Sequence, residues 1–110
     1  MVVVGADTRD AFAGISAGDV EVLATAMGLR EANREASGLD GRTFALVKIA
    51  ALIALDAPPS SYAWQVTNAL EEGVTPEELL GVLRAIAPQV GGPRVMAAAP
   101  EIMGALGLPR

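Results

Sequence analysis

The chain has 110 residues, with thirteen acidic and eight basic side chains, a formal net charge of −5, and neither cysteine nor histidine. The missing cysteines exclude disulfides, thiol nucleophiles and thiolate metal ligands, and the missing histidines exclude the commonest base near neutral pH. The basic residues are spread from Arg9 to Arg110 rather than clustered, which argues against nucleic acid as a partner.

The length fits a single domain, yet 52% of the residues are apolar. A domain of this size buries only about two-thirds of its unfolded surface, so the apolar excess predicts self-association. Residues 1–5 lack the features of an export signal, and the most apolar stretch, 44–55, is too short to span a bilayer. We therefore expect a cytoplasmic protein without a membrane partner. The alanine-rich, arginine-over-lysine composition is typical of a GC-rich bacterial genome.

Residues 1–18 are predicted to form an N-terminal arm, with an arm or a short irregular lead-in over residues 1–15, and residues 19–110 are predicted to form the domain. The first predicted helix is capped by Asp19, runs through Leu23 and Met27 to Glu35, and stops at residues 37–38.

Asp40 is predicted to cap a second helix that ends at residues 56–59 and has apolar side chains on nearly every side. A helix that is apolar all round is buried all round. Because so short a chain has few other helices to cover it, part of that cover is expected from neighbouring subunits.

Ser60 or Ser61 is predicted to cap a third helix that stops at Gly73. The segment 75–78, Thr-Pro-Glu-Glu, predicts a capping box that opens the fourth helix. Pro88 and residues 91–93 predict a break before a last helix that Pro93 opens and Pro100 kinks or divides. The prediction is an all-α fold of about five helices.

The segments 39–50 (LDGRTFALVKIA), 66–78 and 87–93 resemble, in order and spacing, the core of the carboxymuconolactone decarboxylase family. The resemblance covers roughly residues 39–100. It implies an alkylhydroperoxidase D-like helical bundle that assembles into homotrimers or homohexamers, which agrees with the expectation drawn from the second helix.

The family's site residues are missing at the matching positions. The Cys-x-x-Cys pair and the histidine of its peroxidase branch fall on Pro58, Ser61 and Gln65, and its relay glutamate falls near Ala45. The decarboxylase branch keeps a histidine at the position of Gln65. The resemblance therefore gives no support to thiol peroxidase chemistry here, although peroxidase is the activity that the family label suggests.

Lys48 interrupts the apolar second helix and is the first catalytic candidate. A desolvated lysine could form a Schiff base or hold a substrate carboxylate. The alternative, which we favour, is a structural role in which Lys48 reaches water or pairs with an acid across a subunit interface.

Ser61 and Gln65 share a face of the third helix beside the family's reactive positions, and they complete the catalytic candidates. Tyr62 and Trp64 are the candidates for substrate binding. The alternatives are helix capping for Ser61 and packing for Tyr62 and Trp64, and we favour packing for Trp64.

Two groups of charged residues suggest sites only weakly. An acidic cluster is better explained by helix ends and solvent than by a metal, so no metal or cofactor is expected. Three arginines could bind an anionic substrate, although single surface arginines are usually not specific. The acidic residues are Glu71, Glu72, Glu77 and Glu78, and the arginines are Arg42, Arg84 and Arg94.

The first functional hypothesis is a homo-oligomer with the family's fold that binds a small molecule without thiol redox chemistry. The second is a thiol-independent lyase or isomerase acting on a small carboxylated lactone. In that case Lys48 would stabilise developing negative charge, and Ser61, Tyr62 or Gln65 would orient the substrate.

Overall fold

The computed structural model describes residues 1–19, 21–22 and 30–110, with Arg30 described by its backbone alone. These ranges contain helices and no strand, so the all-α prediction is confirmed. Six helices are found in them rather than about five. They are α1 (Ala6–Ala17), α2 (Arg30–Ser37), α3 (Gly41–Leu55), α4 (Pro59–Glu71), α5 (Pro76–Val90) and α6 (Gly92–Ala105).

The chain divides into two compact units, Met1–Ala36 and Ser37–Arg110. In the first unit, the prediction of an irregular segment over residues 1–15 is wrong, because α1 occupies most of it. This helix buries none of its residues, so its sequence carries no apolar period by which it could be recognised. Local signals support it instead: alanines favour the helical backbone, and Gly18 closes the helix in a left-handed conformation with φ of 73°.

Of the helix predicted from Asp19 to Glu35, only residues near the two ends lie within the described ranges. The carboxylate of Asp19 accepts a hydrogen bond of 3.0 Å from the amide of Val22, as an N-cap residue does. Leu23 and Met27 lie outside the described residues. The far end agrees with the prediction, because α2 stops at Ser37 and the next residue, Gly38, has φ of 69°.

The second unit is a four-helix bundle. Helices α3 and α6 form its central pair, since each contacts the other and both also contact α4 and α5. The core between them is built from small and medium aliphatic side chains and one tyrosine. Its buried residues are Ala45, Ile49, Ile53, Tyr62, Val66, Ala69, Val74, Leu79, Leu83, Ala98 and Ile102.

Two predicted helix starts are confirmed and one is wrong. Asp40 caps α3 by accepting a hydrogen bond of 2.7 Å from the amide of Thr43, and the Thr75–Glu78 capping box opens α5. Neither Ser60 nor Ser61 caps α4, which starts earlier, at Pro59, without a side-chain cap. Proline is well suited to the first helical turn because its fixed φ matches the helix and it leaves no amide to satisfy there.

The prolines expected to interrupt the last two helices do not divide them. Helix α5 continues through Pro88 to Val90, and α6 is continuous through Pro100. Each proline removes one backbone hydrogen bond, to the carbonyl four residues earlier. Those carbonyls belong to Arg84 and Met96, which are exposed residues.

Among the described helices, none has both the length and the apolar character needed to cross a lipid bilayer.

Candidate functional site

The five residues predicted to form a site lie on two contacting helices. Lys48 is on α3, and Ser61, Tyr62, Trp64 and Gln65 are on α4. Lys48 lies about two turns before the end of α3, and Gln65 about two turns after the start of α4. A short connection, residues 56–58, joins the two helices, so the two residues lie at similar separations from it along the chain.

Helix α4 brings Tyr62 and Gln65 together on its buried face. They are followed there by Val66 and Ala69, and the spacing is that of one helical stripe. Ser61 and Trp64 are half-buried at the flanks of this stripe. The two most deeply buried polar side chains of the predicted site are therefore neighbours one helical turn apart.

Gln65 is unusual in its surroundings. Its side chain is only 7% exposed, and it is the one buried polar residue of the described chain. Within the described residues its amide makes no hydrogen bond, although it carries two N–H donors and a carbonyl acceptor. Buried polar groups in folded proteins almost always have a partner, so this amide lacks one that a bound molecule could provide.

Tyr62 is 2% exposed, and its hydroxyl has no hydrogen-bond partner in the part of the chain that is described. Burial raises the pKa of its phenol above the ordinary 10.0, and the negative charges of Asp56 and Glu101 raise it further. The phenol therefore stays protonated at neutral pH. It can donate a hydrogen bond, and the nearby acids make its surroundings unfavourable for an anion.

Lys48 is half-buried, and its Nζ lies 5.2 Å from the centroid of the Phe44 ring, one turn earlier on the same helix. This distance is within the range of a cation–π interaction. The contact gives the ammonium group a partner on its own helix. It agrees with the structural interpretation of Lys48 better than with a lysine kept free for chemistry.

Two of the three singled-out arginines link helices rather than forming an anion site. Arg42, on α3, forms an ion pair with Glu78 of α5. Arg94, on α6, donates a hydrogen bond to the carbonyl of Ala54 near the end of α3. Arg84 is exposed on α5.

The acidic residues are also separate in role. Glu78 serves the capping box and the ion pair with Arg42, whereas Glu71 and Glu72 are exposed at the end of α4. In the described ranges no group of three or more acidic side chains is arranged to hold a metal ion.

Sequence reasoning did not identify Asp56 and Glu101 as neighbours of Tyr62. Asp56 ends α3 with φ of 52°, and Glu101 comes from α6, far along the chain. Asp56 could have been suspected, because it stands at a helix end just before α4. Nothing local in the sequence indicates Glu101, which only the packing of α6 on α4 brings near.

Three of the four positions that the resemblance matches to the family's reactive residues lie on α3 and α4. Ala45 is buried on α3, Pro58 precedes α4, and Ser61 and Gln65 lie on it. The fold and the geometry thus define an all-α bundle whose site region, at α3 and α4, has neither thiol nor imidazole.

The comparisons with known proteins agree with this class. The model of the carboxymuconolactone decarboxylase family matches residues 21–102, most of the chain, and the chain belongs to that family. The match extends the predicted resemblance towards the N-terminus. No curated protein and no solved structure matches the chain significantly.

Proposed function

We propose that this chain is a homo-oligomeric member of the carboxymuconolactone decarboxylase family that binds a small molecule at α3 and α4 without thiol redox chemistry. The observation that carries the proposal is the buried amide of Gln65, which has no partner among the described residues. It stands at the position where the family's enzymes have a histidine.

The energetics of Gln65 support a bound molecule. Leaving a buried polar group without a partner costs roughly 1–3 kcal/mol, which an ordinary core position avoids by using an apolar residue. A ligand that offers both a donor and an acceptor would remove that cost. The Tyr62 hydroxyl, one turn away, would supply a further donor.

The chemistry of these groups favours binding over catalysis. An amide can orient a ligand but cannot act as a general base. The raised pKa of Tyr62 keeps its phenol protonated, so it does not supply a base at neutral pH either. With no cysteine or histidine in the chain, a proton-transfer step would depend on Lys48 or on a carboxylate.

The alternative, a thiol-independent lyase or isomerase acting on a carboxylated lactone, has less support. It requires the Lys48 ammonium to stabilise negative charge on the substrate, whereas this ammonium lies over the Phe44 ring. It also requires an anion near Tyr62, where Asp56 and Glu101 oppose one. The substitution Lys48→Met separates the two: loss of an activity with intact assembly would support catalysis, and a looser assembly would support a structural role.

The outer face of α3 supports self-association. Val47 and Leu55 are 53% and 74% exposed, although they belong to the most apolar of the described helices. A shallow apolar groove of about 260 Å³ lies on this face, between α3 and α5. It is lined by Leu46, Val47, Ala50, Val82, Ala85 and Ile86. A second copy, whose α3 exposes the same side chains, is a partner of matching chemistry.

Native mass spectrometry of the gently purified protein tests the ligand. We expect extra mass on the wild type and its loss in Gln65→Leu, which keeps the volume but removes the amide. The matched control is Gln89→Leu, the same change at an exposed position of α5. A ligand equally retained by Gln65→Leu would contradict the proposed site, and a bare wild type would remove its main support.

The same spectra, with one more variant, test the assembly. Val47→Glu places a charge in the middle of the exposed apolar face and should shift the oligomer towards monomer. Leu70→Glu, an exposed leucine on α4, serves as control and should leave the assembly intact. A wild type that is monomeric at micromolar concentration would overturn the proposal of a homo-oligomer.

A further inference from the structure

A groove that Gln65 does not line lies between α5, α6 and the segment that follows α6. It has a volume of about 340 Å³, at the lower end of the range for small-molecule pockets. Its lining residues are Pro76, Glu77, Leu80, Leu83, Ala99, Ile102, Met103, Leu106 and Leu108. Glu77 is the one charged side chain in this set, so the groove is an apolar surface with a single carboxylate.

Core residues form the bottom of the groove, and hydrogen-bonded backbone after α6 forms one of its sides. Leu83 and Ile102 are buried and form part of the core, while Leu80 and Leu108 remain about half exposed at the rim. The segment after α6 is fixed by a hydrogen bond of 2.9 Å from the amide of Leu108 to the carbonyl of Met103.

A charge contact holds the same segment further along. Arg110 lies 3.5 Å from the carboxylate of Glu101, and its guanidinium rests over Gly104, where a side chain would displace it. The wall that carries Leu106 and Leu108 is therefore part of the folded structure, and the groove does not need a ligand to form.

The start of α5 offers an anion in this groove few hydrogen-bond donors. Helix N-termini usually attract anions through free amides, but here the amides of Thr75 and Glu78 are used by the capping box. Pro76 has no amide hydrogen to offer. A negative ligand would find few free donors and would face the carboxylate of Glu77.

The carboxylate of Glu77 is exposed and, within the described chain, takes part in no hydrogen bond or ion pair. Its neighbour Glu78 is, in contrast, engaged by both Thr75 and Arg42. The protein's net charge of −5 adds to the attraction for a cation.

We propose that this groove binds a small amphipathic cation, with an alkyl chain on the leucines and Met103 and an ammonium group at Glu77. A flexible methionine suits such a site, because it adapts to chains of different shape. This inference does not depend on the site at Gln65.

Three probes of equal chain length test the proposal: n-hexylammonium, n-hexanol and n-hexanoate. Each is titrated into the full-length protein and followed by the methyl NMR signals of the groove leucines. We expect the ammonium to bind roughly two- to fivefold tighter than the alcohol, the range of an exposed ion pair, and the carboxylate to bind most weakly.

Three variants test which residues cause the differences in affinity among the probes. Glu77→Gln should reduce the affinity for the ammonium to that for the alcohol, whose binding should not change. Glu71→Gln makes the same charge change outside the groove and should leave both affinities as in the wild type. Ala99→Leu, which fills part of the groove, should weaken the binding of all three probes.

The proposal fails if no probe moves the groove signals, or if Glu77→Gln leaves the preference for the ammonium unchanged. It also fails if the groove signals shift on dilution without any probe, because a second copy would then be the occupant.

Discussion

Helices α3 and α4 are neighbours in the bundle, yet they depart in opposite ways from the usual sorting of apolar residues inside and polar residues outside. Helix α3 exposes Val47 and Leu55, whereas α4 buries Gln65. Both departures are unfavourable for an isolated chain. Buried polar groups and exposed apolar patches are therefore the features of a structure that point to interactions. The proposed function accounts for both departures, because a second copy would cover the apolar face of α3 and a bound molecule would pair with the amide of Gln65 on α4.

The two helices also differ at their starts. Helix α3 is capped by the carboxylate of Asp40, while α4 begins at Pro59 with no side-chain cap. The two helices also carry groups whose pKa values are shifted in opposite directions. The pKa of Asp40, at the start of α3, is lowered, and the pKa of Tyr62, on α4, is raised. Stability should therefore depend on α3 at one end of the pH range and on α4 at the other.

The largest expected effect tests the two faces of α3. Ile53 is fully buried, and Ile53→Ala should lower the free energy of unfolding by about 2–4 kcal/mol, through lost burial and the cavity left behind. Val47→Ala, on the exposed face, should cost less than about 0.5 kcal/mol in dilute protein. Urea denaturation measures both. A loss at Val47 that grows with protein concentration would mean that copies of the chain bury this face.

The next effect tests α4 in the opposite direction. Gln65→Leu should raise the free energy of unfolding of the ligand-free protein by about 1–2 kcal/mol, because it removes a buried amide without a partner. Gln89→Leu, at an exposed position, should change it by less than about 0.5 kcal/mol. Thermal and urea unfolding give the comparison. A destabilised Gln65→Leu would show that the amide is already satisfied and that α4 sorts its residues normally.

Much of the bundle could be predicted from the sequence, because its signals are local. Asp40 before an apolar run and the Thr75–Glu78 pair specify helix starts within four residues, and both are confirmed. Helix α1 was missed because it buries no residue and so has no apolar period. Helix α5 continues through Pro88, where a break was expected, and Pro100 does not divide α6, so the loss of one backbone hydrogen bond ends neither helix.

For the candidate site, the sequence predicted which helix carries each residue but not how deeply the side chain is buried or what it contacts. The sequence placed Lys48 and Gln65 on successive helices, as the structure does. Whether a side chain is buried or partnered depends on tertiary packing. The aromatic partner of Lys48 could have been predicted, because it lies one turn away on the same helix. Glu101 near Tyr62 could not, because it lies on α6, 39 positions further along the chain.

A smaller effect is expected for Tyr62 in alkali. Its pKa is raised in the folded state, so the fold favours the neutral phenol. The stability it contributes is complete below pH 10.0 and is lost as pH rises from there through the folded pKa. Tyr62→Phe should flatten this decline. Because the chain has one tyrosine, ultraviolet titration of the wild type reports Tyr62 alone.

That titration should give an apparent pKa above 10.0 in the folded protein and a normal one in urea. A folded value at or below the unfolded one would mean that the phenol is solvated or bonded. Tyr62 would then not be a second buried polar group without a partner beside Gln65, and the buried amide of Gln65 would have to be explained by itself.

The smallest expected effect concerns Asp40 in acid. Its pKa is lowered, first by the hydrogen bond from the Thr43 amide, then by the Thr43 hydroxyl, and also by the charge of Arg42. The stability it contributes is present above its ordinary pKa of 3.8 and is lost as pH falls through the folded pKa. Asp40→Asn keeps an oxygen for the cap but cannot titrate, so its stability should decline less in this acid range. Urea midpoints measured from neutral pH down to pH 3 compare it with the wild type, and Asp7→Asn, an acid in the first turn of α1, is the control. If Asp40→Asn and the wild type lose stability in parallel, the acid sensitivity lies elsewhere, and the difference between the capped start of α3 and the uncapped start of α4 has no consequence for stability.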